Sequence, residues 1–204
     1  MSQREPSTSG EPAIEVASLV RGLASRQPRL SGIRLTKLAY LAEVRYAAGH
    51  GRRLTNATWS SWKFGPYSQE VIDVARSLPK DQLTSSTEEV LGKVATYYRA
   101  GTDCRPDLPD DVGQLLDDLI AVYGHEDTTM IVSAAYRSTP FQRTPSGRRI
   151  DLDGWATAMN EALHASSLVD YLQGALRSER RLFSEDRELV EFLAATRKSS
   201  GAEA

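Results

Sequence analysis

The sequence predicts a mainly α protein of the α+β class, in which a compact helical domain surrounds a buried central helix and carries a small β-hairpin. Three observations support this fold class. Residues 32–51 carry apolar side chains on several faces, which is typical of a centrally buried helix. Residues 108–124 keep their apolar side chains on one stripe with helical spacing. Residues 83–90 and 94–99 flank a Leu-Gly-Lys turn, which indicates a hairpin.

In the first half of the chain, Gly and Pro residues mark the ends of the predicted helices and of the extended segment. Pro28 closes a first helix that begins near Pro12, and Gly49 and Gly51 offer C-terminal caps for the central helix. The Thr and Trp content of residues 53–62 suits an extended segment, which ends at the Gly65-Pro66 break. The third helix follows this break and is limited by Pro79; its apolar residues are Val71, Ile72, Val74, Ala75 and Leu78.

The second half contains the clearest helix, at residues 108–124. Pro109 lies near its start, two Asp residues suit the positive end of its dipole, and Gly124 can cap it. A shorter helix from about Asp127 to Ser138 is stopped by Pro140, and residues 144–154 are predicted to form a loop. Further helical patterns lie at about 153–165, 167–178 and 184–198.

Length, charge and cysteine usage limit the classes of protein to consider. The 204 residues suit one domain, or one domain with an appendage. The net charge of −2 makes nucleic acid an unlikely partner, because such proteins usually present a strongly basic face. No apolar run reaches the roughly 20 residues that span a bilayer, so we expect no membrane association. Cys104 is the single cysteine and the N-terminus lacks the apolar core of a signal peptide, so we expect a cytoplasmic protein.

No set of residues with catalytic or metal-binding spacing occurs in the sequence. It contains no Cys-x-x-Cys, His-Glu-x-x-His, Gly-x-Ser-x-Gly or phosphate-cradling Gly-Lys-Ser/Thr motif. We therefore expect no catalytic residues, no metal and no cofactor. Lys37, a cation within the apolar central helix, either reaches the surface or pairs with a carboxylate; a catalytic role is less favoured. The basic clusters Gly147–Arg149 and Arg177–Arg181 have acidic neighbours, which favours charge pairing over phosphate binding.

Three motifs in this order resemble those of the Panacea domain, a SocA-like antitoxin domain often found beside phage genes. Lys37, Leu38, Tyr40 and Leu41 match its Lys-Leu-x-Tyr helix, residues 51–54 match its Gly-basic-x-Leu turn, and Trp62, Gly65 and Pro66 match its aromatic–Gly-Pro element. The helix pair ending at Pro140-Phe141 is similar to the family's later helices. Tyr136 stands where the family often has His.

The resemblance covers roughly Ile14 to Asp153 and suggests a domain organisation. We assign residues 12–153 to a Panacea-like domain and residues 154–198 to a C-terminal helical extension. Residues 1–11 and 199–204 are predicted disordered tails.

The resemblance implies an antitoxin of a toxin–antitoxin system, which neutralises a cognate toxin encoded by an adjacent gene through direct protein–protein binding. The absence of a catalytic set agrees with a protein that works by binding. Alternatives are a proteolytic adaptor or chaperone-like module that delivers a toxin to a protease, a DNA-binding transcriptional regulator, and an uncharacterised hydrolase.

Two groups of residues are candidates for partner binding. Trp62 and Phe64 alternate with polar residues and are predicted to face the core, whereas Trp59 and Tyr67 are predicted to form a surface lip. In this interpretation Gly65 supplies an unusual backbone angle, and Pro66 presets the entry to the next helix. The second group combines Arg with an aromatic residue, a mixture enriched at interfaces, and is predicted to help set which toxin is recognised; it comprises Arg177, Arg180, Arg181 and Phe183.

Overall fold

The computed structural model describes residues 12–90, 92–124 and 128–164. Within these residues the chain alternates helices with short strands, in the order α1 (Val16–Arg26), β1 (Leu30–Ser31), α2 (Gly32–His50), β2 (Ser60–Trp62), β3 (Gly65–Tyr67), α3 (Gln69–Ser77), β4 (Leu83–Val90), β5 (Lys93–Ala100), α4 (Asp110–Tyr123), α5 (Thr128–Arg137), α6 (Thr139–Gln142) and α7 (Leu152–His164). The predicted α+β class, mainly helical with a small sheet, is confirmed.

Helix α2 is the central element of the fold. Ser31 begins it by accepting a hydrogen bond from the backbone N–H of Arg34 at 3.3 Å, and Gly51 ends it in the left-handed conformation. The helix packs against α1, α4 and α5 as well as against β3. Its buried residues therefore lie on all sides, as the sequence predicts, and they include two charged groups, Lys37 and Glu43.

A three-stranded antiparallel sheet has the order β1-β5-β4. Strands β4 and β5 form the predicted hairpin, in register from Leu83 opposite Ala100 to Val90 opposite Lys93. We call this pair the long hairpin. Tyr98 in β5 is buried near its base, whereas Val94 near its turn is 77% exposed. The long hairpin thus joins the core at one end and presents its turn to solvent.

A second, two-stranded sheet is formed by β2 and β3, with Trp62 opposite Gly65 across a two-residue turn. Residues 60–67 are called the aromatic hairpin below. The segment after α6, predicted as a plain loop, lies along the other edge of β2: the N–H of Ser61 donates to the carbonyl of Arg148 at 2.8 Å, and the N–H of Ile150 donates to the carbonyl of Trp59, also at 2.8 Å. The aromatic hairpin is therefore supported by backbone from about 90 residues further along the chain.

Most predicted helices are confirmed to within a few residues of their ends. Helix α5 ends at Arg137, before Pro140, as predicted. The short helix α6 was not predicted; Pro140 lies in its first turn, where a missing N–H costs no hydrogen bond. The predicted helices at 167–178 and 184–198 and both predicted tails lie outside the described residues.

The chain divides into two units, Met1–Asn160 and Glu161–Ala204. All the features analysed below belong to the first unit. The predicted division into a domain at 12–153 and an extension at 154–198 stays a prediction. In the part of the chain that the structure describes, no helix combines the length and apolarity needed to traverse a bilayer.

Candidate partner-binding site

The aromatic hairpin is attached to the central helix by a buried lysine. The Lys37 side chain is 4% exposed, and its Nζ donates a hydrogen bond to the carbonyl of Pro66 at 2.8 Å. Burial lowers the pKa of Lys37 to about 8, because the surrounding protein solvates an ammonium group poorly. Neither predicted arrangement holds: Lys37 does not reach the surface, and it is paired with a carbonyl oxygen instead of a carboxylate.

Gly65 lies where a side chain would not fit. Its φ angle is +90°, and a Cβ there would approach Cε2 of Tyr136 to 2.8 Å and Nζ of Lys37 to 3.1 Å. The hydroxyl of Tyr136 in turn donates to the carbonyl of Lys63 at 2.8 Å. The prediction of an unusual backbone angle at Gly65 is confirmed, and the hairpin turn is fixed from two sides by Lys37 and Tyr136.

Trp59 belongs to the core, so the prediction that it forms part of a surface lip is wrong. It is 1% exposed, and its ring packs edge-on against Tyr40 with 5.2 Å between the centroids. The hydroxyl of Tyr40 lies 2.9 Å from Oγ of Ser138, and burial raises the pKa of this phenol. Two family-motif residues on α2, Leu38 and Leu41, are also buried. The motif residues of α2 are therefore packing and anchoring residues.

Trp62 and Phe64 are exposed, which reverses the prediction that they face the core. Trp62 is 58% exposed and Phe64 is 72% exposed. For Trp62 the physical reason is the alternation of a strand: Trp59 and Ser61 point inward, so Trp62 points outward. Phe64 is exposed for another reason, since it lies with Lys63 in the turn between β2 and β3, where both side chains face solvent. The predicted alternation therefore holds only up to Trp62, and its phase is shifted by one residue.

Tyr67, the other residue of the predicted lip, is half-buried and packs against Trp62 with 5.6 Å between ring centroids. We call the side chains of Trp62, Phe64 and Tyr67 the aromatic surface. A cleft of about 420 Å³ adjoins it. The residues that line this cleft are Thr58, Ser60, Trp62, Tyr67, Gln69 and Glu70. Large aromatic side chains left exposed on an anchored backbone are typical of protein-binding surfaces.

A buried ion pair supports the turn that leads from α2 to the aromatic hairpin. Glu43 is fully buried; it accepts hydrogen bonds from the N–H of Thr55 at 3.2 Å and from the Thr55 hydroxyl, and it lies 3.4 Å from Nε of Arg53. Burial raises the pKa of Glu43, and the Arg53 charge opposes this effect. Arg53 also binds Asp153 at 3.0 Å and the carbonyl of Ala57 at 2.7 Å. This network fixes the matched Gly-basic-x-Leu turn.

Sequence reasoning overlooked Glu43, Glu70 and the pairing of residues 147–150 with β2. A signal for Glu43 exists in its position, since it is a carboxylate within the same apolar helix that contains Lys37. Arg149 pairs with Asp153 at 3.4 Å, which confirms the predicted charge pairing for this basic cluster. The candidate residues Arg177, Arg180, Arg181 and Phe183 lie outside the described residues. Across residues 12–90, 92–124 and 128–164, no cluster of His, Cys, Asp and Glu side chains has the arrangement of a metal site.

These features define a mainly helical α+β domain whose family-motif residues hold an aromatic hairpin at its surface. Residues 35–141 match the family model described as "Antitoxin SocA-like, Panacea domain". The chain belongs to this family, which indicates an antitoxin-type role and, in general terms, a toxin as partner. A search of curated proteins and a search of solved structures each gave no match to the chain.

Proposed function

We propose that this protein is the antitoxin of a toxin–antitoxin pair, and that it neutralises the toxin encoded by an adjacent gene by binding it directly in the cytoplasm through the aromatic surface. The observation that carries this proposal is the exposure of Trp62 and Phe64 on a turn held by Lys37 and Tyr136. Tryptophan and tyrosine are enriched among the residues that dominate binding energies. A turn that is already fixed loses little conformational entropy on binding.

The protein is proposed to act as a binding protein and not as an enzyme. Among the described residues around the aromatic hairpin, the buried Lys37 amine bonds a backbone carbonyl and the Tyr136 hydroxyl bonds another, so neither is hydrogen-bonded as a nucleophile to an adjacent base. These groups hold the backbone in place, which is the task that a recognition surface requires.

The segment from about Ser166 to Lys198 is proposed to contribute to the choice of toxin. Their sequence combines Arg177, Arg180 and Arg181 with Phe183, a composition typical of interfaces. In this proposal the aromatic surface supplies a large part of the affinity, and the C-terminal segment discriminates between toxins.

Coexpression with the product of the adjacent gene tests the proposal. We expect that product to arrest growth when expressed alone, and to become harmless and co-elute with the protein when both are expressed. Replacing Trp62 and Phe64 together by Ala should weaken the complex by at least about 2 kcal/mol, which is roughly thirtyfold in Kd.

Val94→Ala is the matched control, because it removes an equally exposed apolar side chain from the long hairpin. If Val94→Ala lost as much affinity for the toxin as the Trp62 and Phe64 double variant, or if the double variant still neutralised the toxin fully, the aromatic surface would not be the binding site. A neighbour that is harmless alone would remove the basis of the proposal. The half-life of the toxin, with and without this protein, distinguishes simple sequestration from delivery to a protease.

A further inference from the structure

The cleft beside the aromatic surface combines two aromatic rings with one carboxylate. Trp62 and Tyr67 form an aromatic wall, and Glu70, in the first turn of α3, lies among the polar lining residues. No Lys or Arg is among the side chains that line this part of the described structure. The cleft is therefore a partly apolar space with negative charge.

Glu70 retains capacity to bind another group. Its Oε2 accepts a hydrogen bond from the backbone N–H of Thr58 at 3.1 Å, which fixes the orientation of the carboxylate. Within the described residues Oε1 accepts no hydrogen bond from a side chain or from a neighbouring loop. A carboxylate can accept several hydrogen bonds, so Glu70 can accept a further one from a group that enters the cleft.

Two basic residues lie near the cleft residues, Lys63 in sequence and Arg149 through a backbone bridge to Ser60, and both side chains are engaged elsewhere. Lys63 places its Nζ 5.6 Å from the centroid of the Phe64 ring. Arg149, which bridges to Ser60 through the backbone, pairs its guanidinium with Asp153. Within the described residues neither of these side chains pairs with Glu70, so its carboxylate can receive a cationic group from a partner.

We infer that this cleft accepts an arginine side chain of the toxin, with its guanidinium against the Trp62 and Tyr67 rings and an N–H donated to Oε1 of Glu70. The inference rests on the proposed function and specifies the chemistry of the partner. A guanidinium is planar, stacks on aromatic faces and hydrogen-bonds to carboxylates, so it matches the two aromatic rings and the carboxylate of the cleft. An apolar side chain would bury the Glu70 carboxylate with only the Thr58 N–H to compensate its charge, and the phosphates of a nucleic acid would be repelled by it.

The test uses full-length protein and the purified product of the adjacent gene, with Kd measured by calorimetry. Glu70→Gln keeps an oxygen acceptor for the Thr58 N–H but removes the charge. We expect this change to raise Kd about tenfold or more, as for other hydrogen bonds to charged groups. Glu89→Gln, the same change at an exposed position on β4, should leave Kd unchanged. Trp62→Leu, which keeps an apolar side chain but removes the aromatic ring, should also raise Kd.

A charge exchange identifies the partner residue. Glu70→Arg should abolish binding, and replacing one surface Arg of the toxin by Glu should restore it. If Glu70→Gln binds as the wild type does while Trp62→Leu binds weakly, the aromatic surface is used without an arginine in the cleft; this overturns the inference and leaves the proposed function intact.

Two further outcomes would also overturn the inference. No binding by the wild type would refute the proposed function and this inference with it. Binding of a labelled single-stranded oligonucleotide that is strengthened by Glu70→Gln would show that the cleft takes a nucleic-acid base.

Discussion

Gly65→Ala is the substitution for which the structure gives the most defined expectation. A Cβ at this position would lie 2.8 Å from Cε2 of Tyr136 and 3.1 Å from Nζ of Lys37, and the backbone has a φ of +90° that side-chain-bearing residues rarely adopt. Moving Tyr136 away would break its hydrogen bond to the carbonyl of Lys63, and moving Lys37 would weaken its bond to Pro66. Both adjustments loosen the aromatic hairpin.

The expected loss of stability has two parts. The left-handed backbone costs about 1–2 kcal/mol for a residue with a Cβ. Crowding against a packed neighbour adds about 1–3 kcal/mol. We therefore expect Gly65→Ala to lower the free energy of unfolding by about 2–5 kcal/mol, with a fall in Tm of roughly 2–4 °C for each kcal/mol.

Gly147→Ala separates the two parts. Gly147 has a φ of +80°, similar to that of Gly65, but a Cβ there would have no atom within 4 Å. Gly147→Ala should therefore lower the free energy of unfolding only by the cost of the left-handed backbone, about 1–2 kcal/mol. Urea unfolding of the two variants and the wild type measures both losses. If Gly65→Ala were no less stable than Gly147→Ala, the contacts of Lys37 and Tyr136 with the hairpin would not be constraining it, and the anchoring argument would be refuted.

Three further predictions concern buried charge and the C-terminal segment. Because burial lowers the pKa of Lys37 to about 8 from 10.5, the unfolded chain binds one proton more than the folded chain between these values. The free energy of unfolding should therefore rise with pH across this window by up to about 3 kcal/mol relative to Lys37→Met. If urea unfolding shows the same change with pH from 7.5 to 10.5 for the wild type and for Lys37→Met, this prediction is wrong. Glu43→Gln removes the buried partner of Arg53 and should cost about 3 kcal/mol in a thermal or urea melt, whereas an unchanged melt would mean that Asp153 alone balances the guanidinium. A chain ending at Ala165 should unfold cooperatively but fail to protect cells from the toxin, and either an unfolded product or full protection would refute the proposed role of the C-terminal segment.

The helices and strands that the sequence predicts correctly are marked by residues within or next to the element itself. Helix α2 ends at a glycine that adopts a left-handed conformation, and the long hairpin turns beside Gly92, whose φ is also positive. These signals act within a few residues, so no knowledge of the tertiary structure is needed to interpret them. The support of β2 by residues 147–150 has no such signal, because it joins segments that are distant in the sequence.

The orientation of the two tryptophans shows where local reasoning ends. Trp59 and Trp62 are three positions apart, so an extended chain must turn one of them inward and the other outward. Alternation alone is satisfied by either choice, and a shift of one residue exchanges them. The choice is made by contacts outside the segment: Tyr40 packs against Trp59, and the carbonyl of Arg148 accepts the hydrogen bond from Ser61.

The outward position of Trp62 also separates support from recognition within the family motif. Three motif residues hold the backbone of the aromatic hairpin. Lys37 donates the anchoring hydrogen bond, the carbonyl of Pro66 accepts it, and Gly65 leaves the space that the lysine amine needs. Trp62 belongs to the same motif but is 58% exposed and contributes little to the core. Substitutions at the three supporting positions should therefore alter stability and binding together. Substitution of Trp62 should alter binding with little change in Tm, and this difference can be measured on a single set of variants.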